Sequence, residues 1–435
     1  MKIGIIGTGY VGLTTGACLA DLGHQVCAID SNPDIIKTLE TGEIPIFEPR
    51  LRNLVTKNTK TGRLSFSTQL SDLVGSQAIF IAVGTPQNPD GTANLTFVEA
   101  AINDIANYIQ EYTVLVVKST IPIGTNDDLD NRLARLLDRR KFSIVSNPEF
   151  LREGSAVKDF MEPDRIVIGC EDDRAAQVMK SIYNPLISAG ATLLETDRRS
   201  AEITKYASNA FLATKLSFIN EIAGLCEKVD ANILDVTKGM GLDNRIGPHF
   251  LNPGPGYGGS CFPKDTTALA ATANQLGVPL AITNAAIETN DSRKKLLTQR
   301  IIDRFDGDLK GLKIAILGLA FKANTDDVRE SPAMSIIPPL VKLGADVSAY
   351  DPEAMDAAAS VLSGVRFCTS KEDALGGCDA AVILTEWSEF SEMNLTDIAA
   401  MMKQKILFDF RNLFERDEAA QLGFCYYCLG RADIS

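Results

Sequence analysis

At 435 residues, with 45% hydrophobic and 23% charged positions, the chain has a globular composition and is too long for one core, so two or three domains are expected. Its net charge of -13 argues against a nucleic-acid or anionic-membrane partner, and no apolar run approaches the roughly 18 residues of a membrane span. Any anionic ligand must therefore meet a local cluster of Lys and Arg.

The apolar run that opens the chain is too short for a secretory signal, which leaves a cytoplasmic location as the expectation. Lys2 to Ile6 is a β-branched run suited to a buried strand. Gly7-Thr8-Gly9-Tyr10-Val11-Gly12 then gives GxGxxG, residues 11–22 read as a helix, and the apolar run Gln25–Ile29 closes on Asp30. Strand, glycine turn, helix, strand and acid form the dinucleotide-binding unit. Gly7 allows the tight turn, Gly9 admits a pyrophosphate, and Gly12 lets helix and strand pack. Asp30 would accept from a ribose 2′-OH and repel a 2′-phosphate, which favours NAD over NADP. Further strands are expected at Ala78–Val83, Val114–Lys118, Ser143–Ser146 and Arg165–Ile168. Polar punctuation at the ends of three of them, Gly84-Thr85-Pro86, Ser119-Thr120 and Asn147-Pro148-Glu149, falls where open parallel sheets bind ligands.

From about Ser200 to Val229 apolar residues recur at three- and four-residue steps, predicting one long helix. Lys205 and Asn209 share a face of it, a pairing that is ordinarily solvated surface. His249 precedes a glycine- and proline-rich loop, Pro253-Gly254-Pro255-Gly256-Tyr257-Gly258-Gly259-Ser260-Cys261-Phe262-Pro263-Lys264-Asp265. A thiolate attacks carbonyl carbon, and a nearby ammonium favours its charge. A redox cofactor plus a cysteine able to trap an aldehyde implies oxidation of an alcohol beyond the aldehyde stage. With two histidines in the chain, one of them (His24) in a turn, proton transfer falls to Lys, carboxylates and water.

Near Gly311 the pattern restarts. Lys313–Gly318 echoes Lys2–Gly7, and Lys342–Asp351 echoes Asp21–Asp30, which predicts a second doubly wound domain. Its turn, Gly318-Leu319-Ala320-Phe321-Lys322, lacks GxGxxG and should bind something other than a second dinucleotide. Nine scattered cysteines read as reduced thiols, and Cys425-Tyr426-Tyr427-Cys428 has no second pair at zinc spacing, so no metal is expected.

Taken in order, Gly7–Gly12, Gly42–Pro49, Val83–Pro86, Lys118–Thr120, Asn147–Gly154, Gly256–Asp265 and Gly318–Lys322 resemble the UDP-glucose/GDP-mannose dehydrogenase family nearly end to end. The resemblance implies an α/β chain of two Rossmann-like doubly wound domains joined by a central long helix and helical dimerisation region. It places an NAD domain at 1–196, a dimerisation region at 197–300 and a nucleotide-sugar domain at 301–435, in a homodimer. It implies four-electron oxidation of a hexose C6 alcohol by two NAD+ in turn, through a Cys261 thiohemiacetal and thioester that water hydrolyses. UDP-glucose is the favoured substrate, with UDP-glucuronate as product, and GDP-mannose is the alternative. A two-electron hydroxy-acid dehydrogenase with a structural Cys261, or a non-catalytic NAD sensor, are the readings from other classes.

Residue by residue, the resemblance gives Lys205 and Asn209 as oxyanion donors, Asp265 and Thr120 as the pair that activates water, and Glu149 as a helper in hydrolysis. The first hydroxyl proton passes either to a desolvated Lys205 or to a water held by Asp265 and Thr120. The cofactor positions are Gly7, Gly9, Tyr10, Val11, Gly12, Asp30, Thr85, Thr120, Glu153, Lys264 and Arg329. The substrate-binding positions include Glu149, Phe150, Leu151, Arg152, Glu153, Lys205 and Asn209. The UDP side takes Phe250, Leu251, Asn252, Pro253, Gly254, Gly258 and Phe321, with Arg245, Lys322 and Arg411 as cations and Arg245 reaching across the dimer. Two positions depart from the family pattern: Ile35 replaces a basic residue after the ribose aspartate, and Arg50 stands where glycine often follows Glu48-Pro49.

Overall fold

A computed structural model describes residues 1–434. The chain divides into two compact units, one of Met1–Ser208 with Ala271–Val278, the other of Asn209–Ala270 with the chain from Pro279 onward.

The first unit is built on eight strands: β1 (Lys2–Ile6), β2 (Gln25–Ile29), β3 (Leu64–Ser67), β4 (Ala78–Ile81), β5 (Thr113–Val117), β6 (Phe142–Ser146), β7 (Ile166–Gly169) and β8 (Leu193–Thr196). They lie in the order β3-β2-β1-β4-β5-β6-β7-β8. Strand order reverses between β1 and β4, where Ile6 stands opposite both Ile29 and Ile81. Near-continuous apolar runs suit these strands because helices cover both faces. Ile3, Ile5, Val26 and Phe80 pack to one side of the sheet, and Ile6, Ile29, Ile79 and Ile81 to the other. The strand expected near Arg165 is present as β7, but it pairs with β6 in antiparallel sense.

The second unit repeats the plan with β9 (Lys313–Leu317), β10 (Asp346–Tyr350), β11 (Val365–Phe367), β12 (Ala380–Ile383), β13 (Ile406–Asp409) and β14 (Cys425–Cys428). Their order is β11-β10-β9-β12-β13-β14, parallel throughout. The expected long helix runs Arg198–Val229, 32 residues, or about 48 Å at 1.5 Å per residue. Two further helices, Phe262–Gln275 and Ala281–Asp303, flank the chain before β9. Among the described residues no helix is long and apolar enough to cross a membrane.

Candidate active site

The glycine turn after β1 has the shape a dinucleotide requires. Gly7 sits at φ +96°, and a Cβ there would lie 2.7 Å from the Ala82 carbonyl oxygen. A Cβ on Gly12 would come within 1.9 Å of the Gly7 oxygen, whereas one on Gly9 would meet nothing within 4 Å. The helix Tyr10–Asp21 starts at Gly9 with no side-chain cap and no acid in its first turn. Its first N–H groups are therefore left for an anion at the positive end of the helix dipole. At the end of β2, Asp30 accepts from Thr8 N at 2.9 Å and Thr8 Oγ1 at 2.8 Å while its carboxylate stays partly open to solvent. These residues fit NAD: backbone at Gly9, Tyr10 and Val11 for the phosphates, Asp30 for the ribose.

Thr85 Oγ1 donates to the Thr120 carbonyl at 2.9 Å, so two expected cofactor positions hold each other at adjacent strand ends. Buried Glu48 accepts from the Tyr10 hydroxyl and, at 2.7 Å, from Gly154 N. It thereby ties the cofactor helix to the loop that carries Glu153. Burial, and then Glu48, push the Tyr10 phenol far above its usual range, so Tyr10 serves as a neutral donor. Arg50 sits in the left-handed region at φ +70°, which is why glycine suits that position.

Lys205 and Glu149 are brought together in the same unit. Lys205 is 3% exposed and Glu149 5%, with Nζ and Oε1 2.9 Å apart. The other Glu149 oxygen accepts from Leu151 N. Burial alone would raise the Glu149 carboxyl, but the Lys205 charge and hydrogen bond outweigh it and hold the group below its usual range. Phe150 lies under both the Lys205 ammonium, 5.5 Å from the ring centre, and the Arg165 guanidinium at 3.7 Å. Behind the turn, buried Lys118 donates to Asn147 Oδ1 at 3.2 Å, and the Tyr183 hydroxyl donates to the same oxygen at 2.6 Å. Burial brings the Lys118 ammonium down to about 8, with Glu149 opposing the shift and Lys205 adding to it. A cavity of about 250 Å³ in this unit is lined by Lys118, Asn147, Phe150, Leu151, Arg152 and Tyr183, among others. The Arg152 guanidinium is held by Asp159, which lines the same cavity.

In the second unit the nucleophile candidate stands at a helix start. Cys261, half-buried, immediately precedes the helix Phe262–Gln275, whose first turn favours negative charge. Asp265, 1% exposed, accepts from Asn209 Nδ2 at 2.7 Å and from Lys264 Nζ at 2.7 Å. Its amide closes the turn on the Cys261 carbonyl at 2.8 Å. Asn209 is buried, so the helix face shared with Lys205 is not solvated surface.

The loop before the cysteine is fastened by residues that no local motif announces. Asn220 Oδ1 accepts from Gly254 N at 2.9 Å, Arg293 Nε donates to the Gly254 carbonyl at 3.2 Å, and Asn290 brackets Tyr257 through both its backbone groups. The available signal was compositional: Asn220 and Asn290 are poor helix formers placed in mid-helix. Phe250, at φ +60°, Leu251, Asn252 and Pro253 lead into the loop. Gly258 and Gly259 press on Phe321, and a Cβ on Gly259 would lie 2.7 Å from its ring.

Arg411 donates to the Leu384 carbonyl at 2.7 Å and to the Phe321 carbonyl at 3.1 Å, next to Gly254. Lys322 lies 5.4 Å from the Phe321 ring centre. Arg245 and Arg329 occupy exposed turns, each forked onto the aspartate two residues before it, Asp243 and Asp327. His24 is buried with a ring nitrogen 2.9 Å from the Ile182 carbonyl, and His249 is exposed.

Comparison with known proteins adds three kinds of likeness. The UDP-glucose/GDP-mannose dehydrogenase family's NAD binding domain matches residues 1–187, its central domain 199–292 and its UDP binding domain 315–416. The UDP-glucose 6-dehydrogenase of Rhizobium meliloti is 48% identical over the full length of both chains. The UDP-glucose 6-dehydrogenase TuaD of Bacillus subtilis is 45% identical over 100% of this chain and 94% of its own. Among solved structures, a UDP-glucose dehydrogenase from the archaeon Pyrobaculum islandicum aligns with a TM-score of 0.90 and 38% identity, covering 99% of this chain and 98% of the other.

Proposed function

The chain belongs to the UDP-glucose/GDP-mannose dehydrogenase family and is an NAD-dependent oxidoreductase, and on that premise we propose that it oxidises the C6 alcohol of UDP-glucose to UDP-glucuronate through a Cys261 adduct. The observation that carries the chemistry is the setting of Cys261: a cysteine at the start of a 14-residue helix, backed by the buried Asn209–Asp265 pair and the half-buried Lys264 that Asp265 also holds. An ordinary structural cysteine needs no such polar backing.

NAD+ held at the Gly7–Gly12 turn and Asp30 would supply the hydride acceptor at each oxidation. Loss of hydride and of the hydroxyl proton turns the alcohol into an aldehyde. The Cys261 sulfur adds to the aldehyde carbon, and the resulting thiohemiacetal, after a second loss of hydride and proton, becomes a thioester. Water then adds, the C–S bond breaks, and the acid leaves with the thiol restored. Lys205 and Asn209 are the donors for oxygen as it gains negative charge, and burial strengthens them. Glu149 holds the Lys205 ammonium in place. Asp265 and Thr120 act on the hydrolytic water. Arg411 and Lys322 offset the diphosphate charge within an acidic protein, and Phe250 to Gly254 with Gly258 receive the uridine end.

Counting NADH against consumed UDP-glucose tests the reading. Two per sugar is expected; one would leave Cys261 a structural role, and turnover confined to GDP-mannose would move the substrate. Cys261→Ser should bind UDP-glucose with near wild-type affinity and lose at least 10³-fold in steady turnover, roughly the scale of removing an acting nucleophile.

A further inference from the structure

The two glycine turns are built alike and end differently. Gly318, at φ +98°, donates from its amide to the Tyr350 carbonyl at 2.9 Å, just as Gly7 donates to Ile29 at 2.8 Å. The next amide in each unit reaches the aspartate that ends the second strand: Thr8 N to Asp30 Oδ2 at 2.9 Å, Leu319 N to Asp351 Oδ2 at 2.7 Å. After Gly9 the helix begins at once, and Asp30 remains partly open. Asp351 is 1% exposed. Its Oδ2 also accepts from Ala320 N at 3.0 Å and from the Trp387 indole N–H at 3.0 Å, while Oδ1 accepts from Glu353 N and Ala354 N. Trp387 is itself 6% exposed. The acceptor that the first unit leaves for a ribose hydroxyl is met, in the second, by a side chain of the protein.

That bond has consequences down the chain. The Leu319–Ala320 turn is gripped on its amides by Asp351 and on its Ala320 carbonyl by Thr385 Oγ1 at 2.6 Å. The next residue is Phe321, whose ring is the wall beneath Gly259, two residues before Cys261, and whose carbonyl takes Arg411. Lys322 follows.

We propose that Trp387, acting through Asp351, is a positioning residue for the nucleotide-sugar site: its indole N–H completes the carboxylate shell that fixes the Leu319–Lys322 turn. This rests on the reading that Phe321, Lys322 and Arg411 meet the UDP group. Without the indole, Asp351 keeps its charge and its four backbone donors but loses its one side-chain hydrogen bond, a charge-assisted one, and with it the anchor that ties the turn to the strand-end loop of Trp387.

The test compares the wild type with Trp387→Phe and Trp387→Gly by calorimetric titration with UDP and by steady-state kinetics. If the wild type does not bind UDP, the underlying reading fails by itself, independently of Trp387. Given wild-type binding, Trp387→Phe should weaken UDP binding and raise KM for UDP-glucose about tenfold, the scale of one lost hydrogen bond to a charged group. KM for NAD+ should not move. Indole added to Trp387→Gly should restore UDP affinity, and indene, which has the same outline without the N–H, should not. Wild-type UDP affinity in Trp387→Phe, or equal rescue by indene, would overturn the proposal. Should Trp387→Gly fail to fold, the Phe variant decides alone, since a general loss of packing would disturb NAD+ kinetics as well.

Discussion

At the scale of single residues, the buried charges around Glu149 are unequally partnered. Lys118 and Lys205 are two buried ammonium groups that act on one buried carboxylate, Glu149. Only Lys205 has it as a direct partner; Lys118 has carbonyl oxygens of Asn147 instead. The imbalance falls on Lys118 and predicts a pH effect of definite sign. The unfolded chain keeps that proton to about 10.4, whereas the folded chain releases it at about 8. Between those values the unfolded state binds more protons, so this group's contribution to stability rises with pH. The swing is of the order of 3 kcal/mol at most. Lys118→Met removes it. The stability of that variant relative to wild type, measured by urea unfolding, should therefore fall between about pH 7.5 and about pH 9.5. A difference that stays constant over that interval would show that the folded Lys118 titrates normally.

At the scale of elements, the local rules of helix and turn account for most boundaries, and the exceptions carry information. The helix Leu51–Lys60 begins after Arg50, which has no capping side-chain bond and a left-handed backbone. Arg50→Gly should stabilise the protein by up to about 1 kcal/mol, because relief of the Cβ strain exceeds the added entropy of the unfolded chain. A chemical midpoint that moves the other way would mean the Arg50 side chain makes a contact worth more than that strain. Glu202 on the long helix does the capping work for a distant element: it accepts from Gly124 N at 2.6 Å and Asn126 N at 2.9 Å at the start of the helix Thr125–Leu133. Burial raises its carboxyl nonetheless, since those amides only partly replace water.

At the scale of the whole molecule, the long helix exposes Phe211, Phe218, Leu225 and Val229, spaced by seven, seven and four residues. An apolar stripe of that kind on the exposed face of a helix is a surface that expects a partner, and a second copy of the chain is the partner we propose. In sedimentation experiments the wild type should run as a dimer, and the double substitution Phe211→Glu with Phe218→Glu should run as a monomer at the same concentration. A wild type that sediments as a monomer would dispose of the homodimer outright.

Much of the fold was legible because its signals are local. A β-branched run, a glycine forced to positive φ and a helix of period 3.6 each occupy a few consecutive residues, so the Gly7–Gly12 turn, the repeat at Lys313–Gly318 and the helix through Lys205 could be read directly. The repeat even carried its aspartate, at Asp30 and again at Asp351. What could not be read was the fate of each group. Asp30 stays open and Asp351 is sealed by Trp387, 36 residues further on. Glu149 meets Lys205 across 56 positions, and Asn220 and Asn290 reach the glycine loop from two different helices. Spacing along a chain fixes which residues share an element; only the packing of one element on another decides which side chains lose water together, and with it which charges and donors become partners.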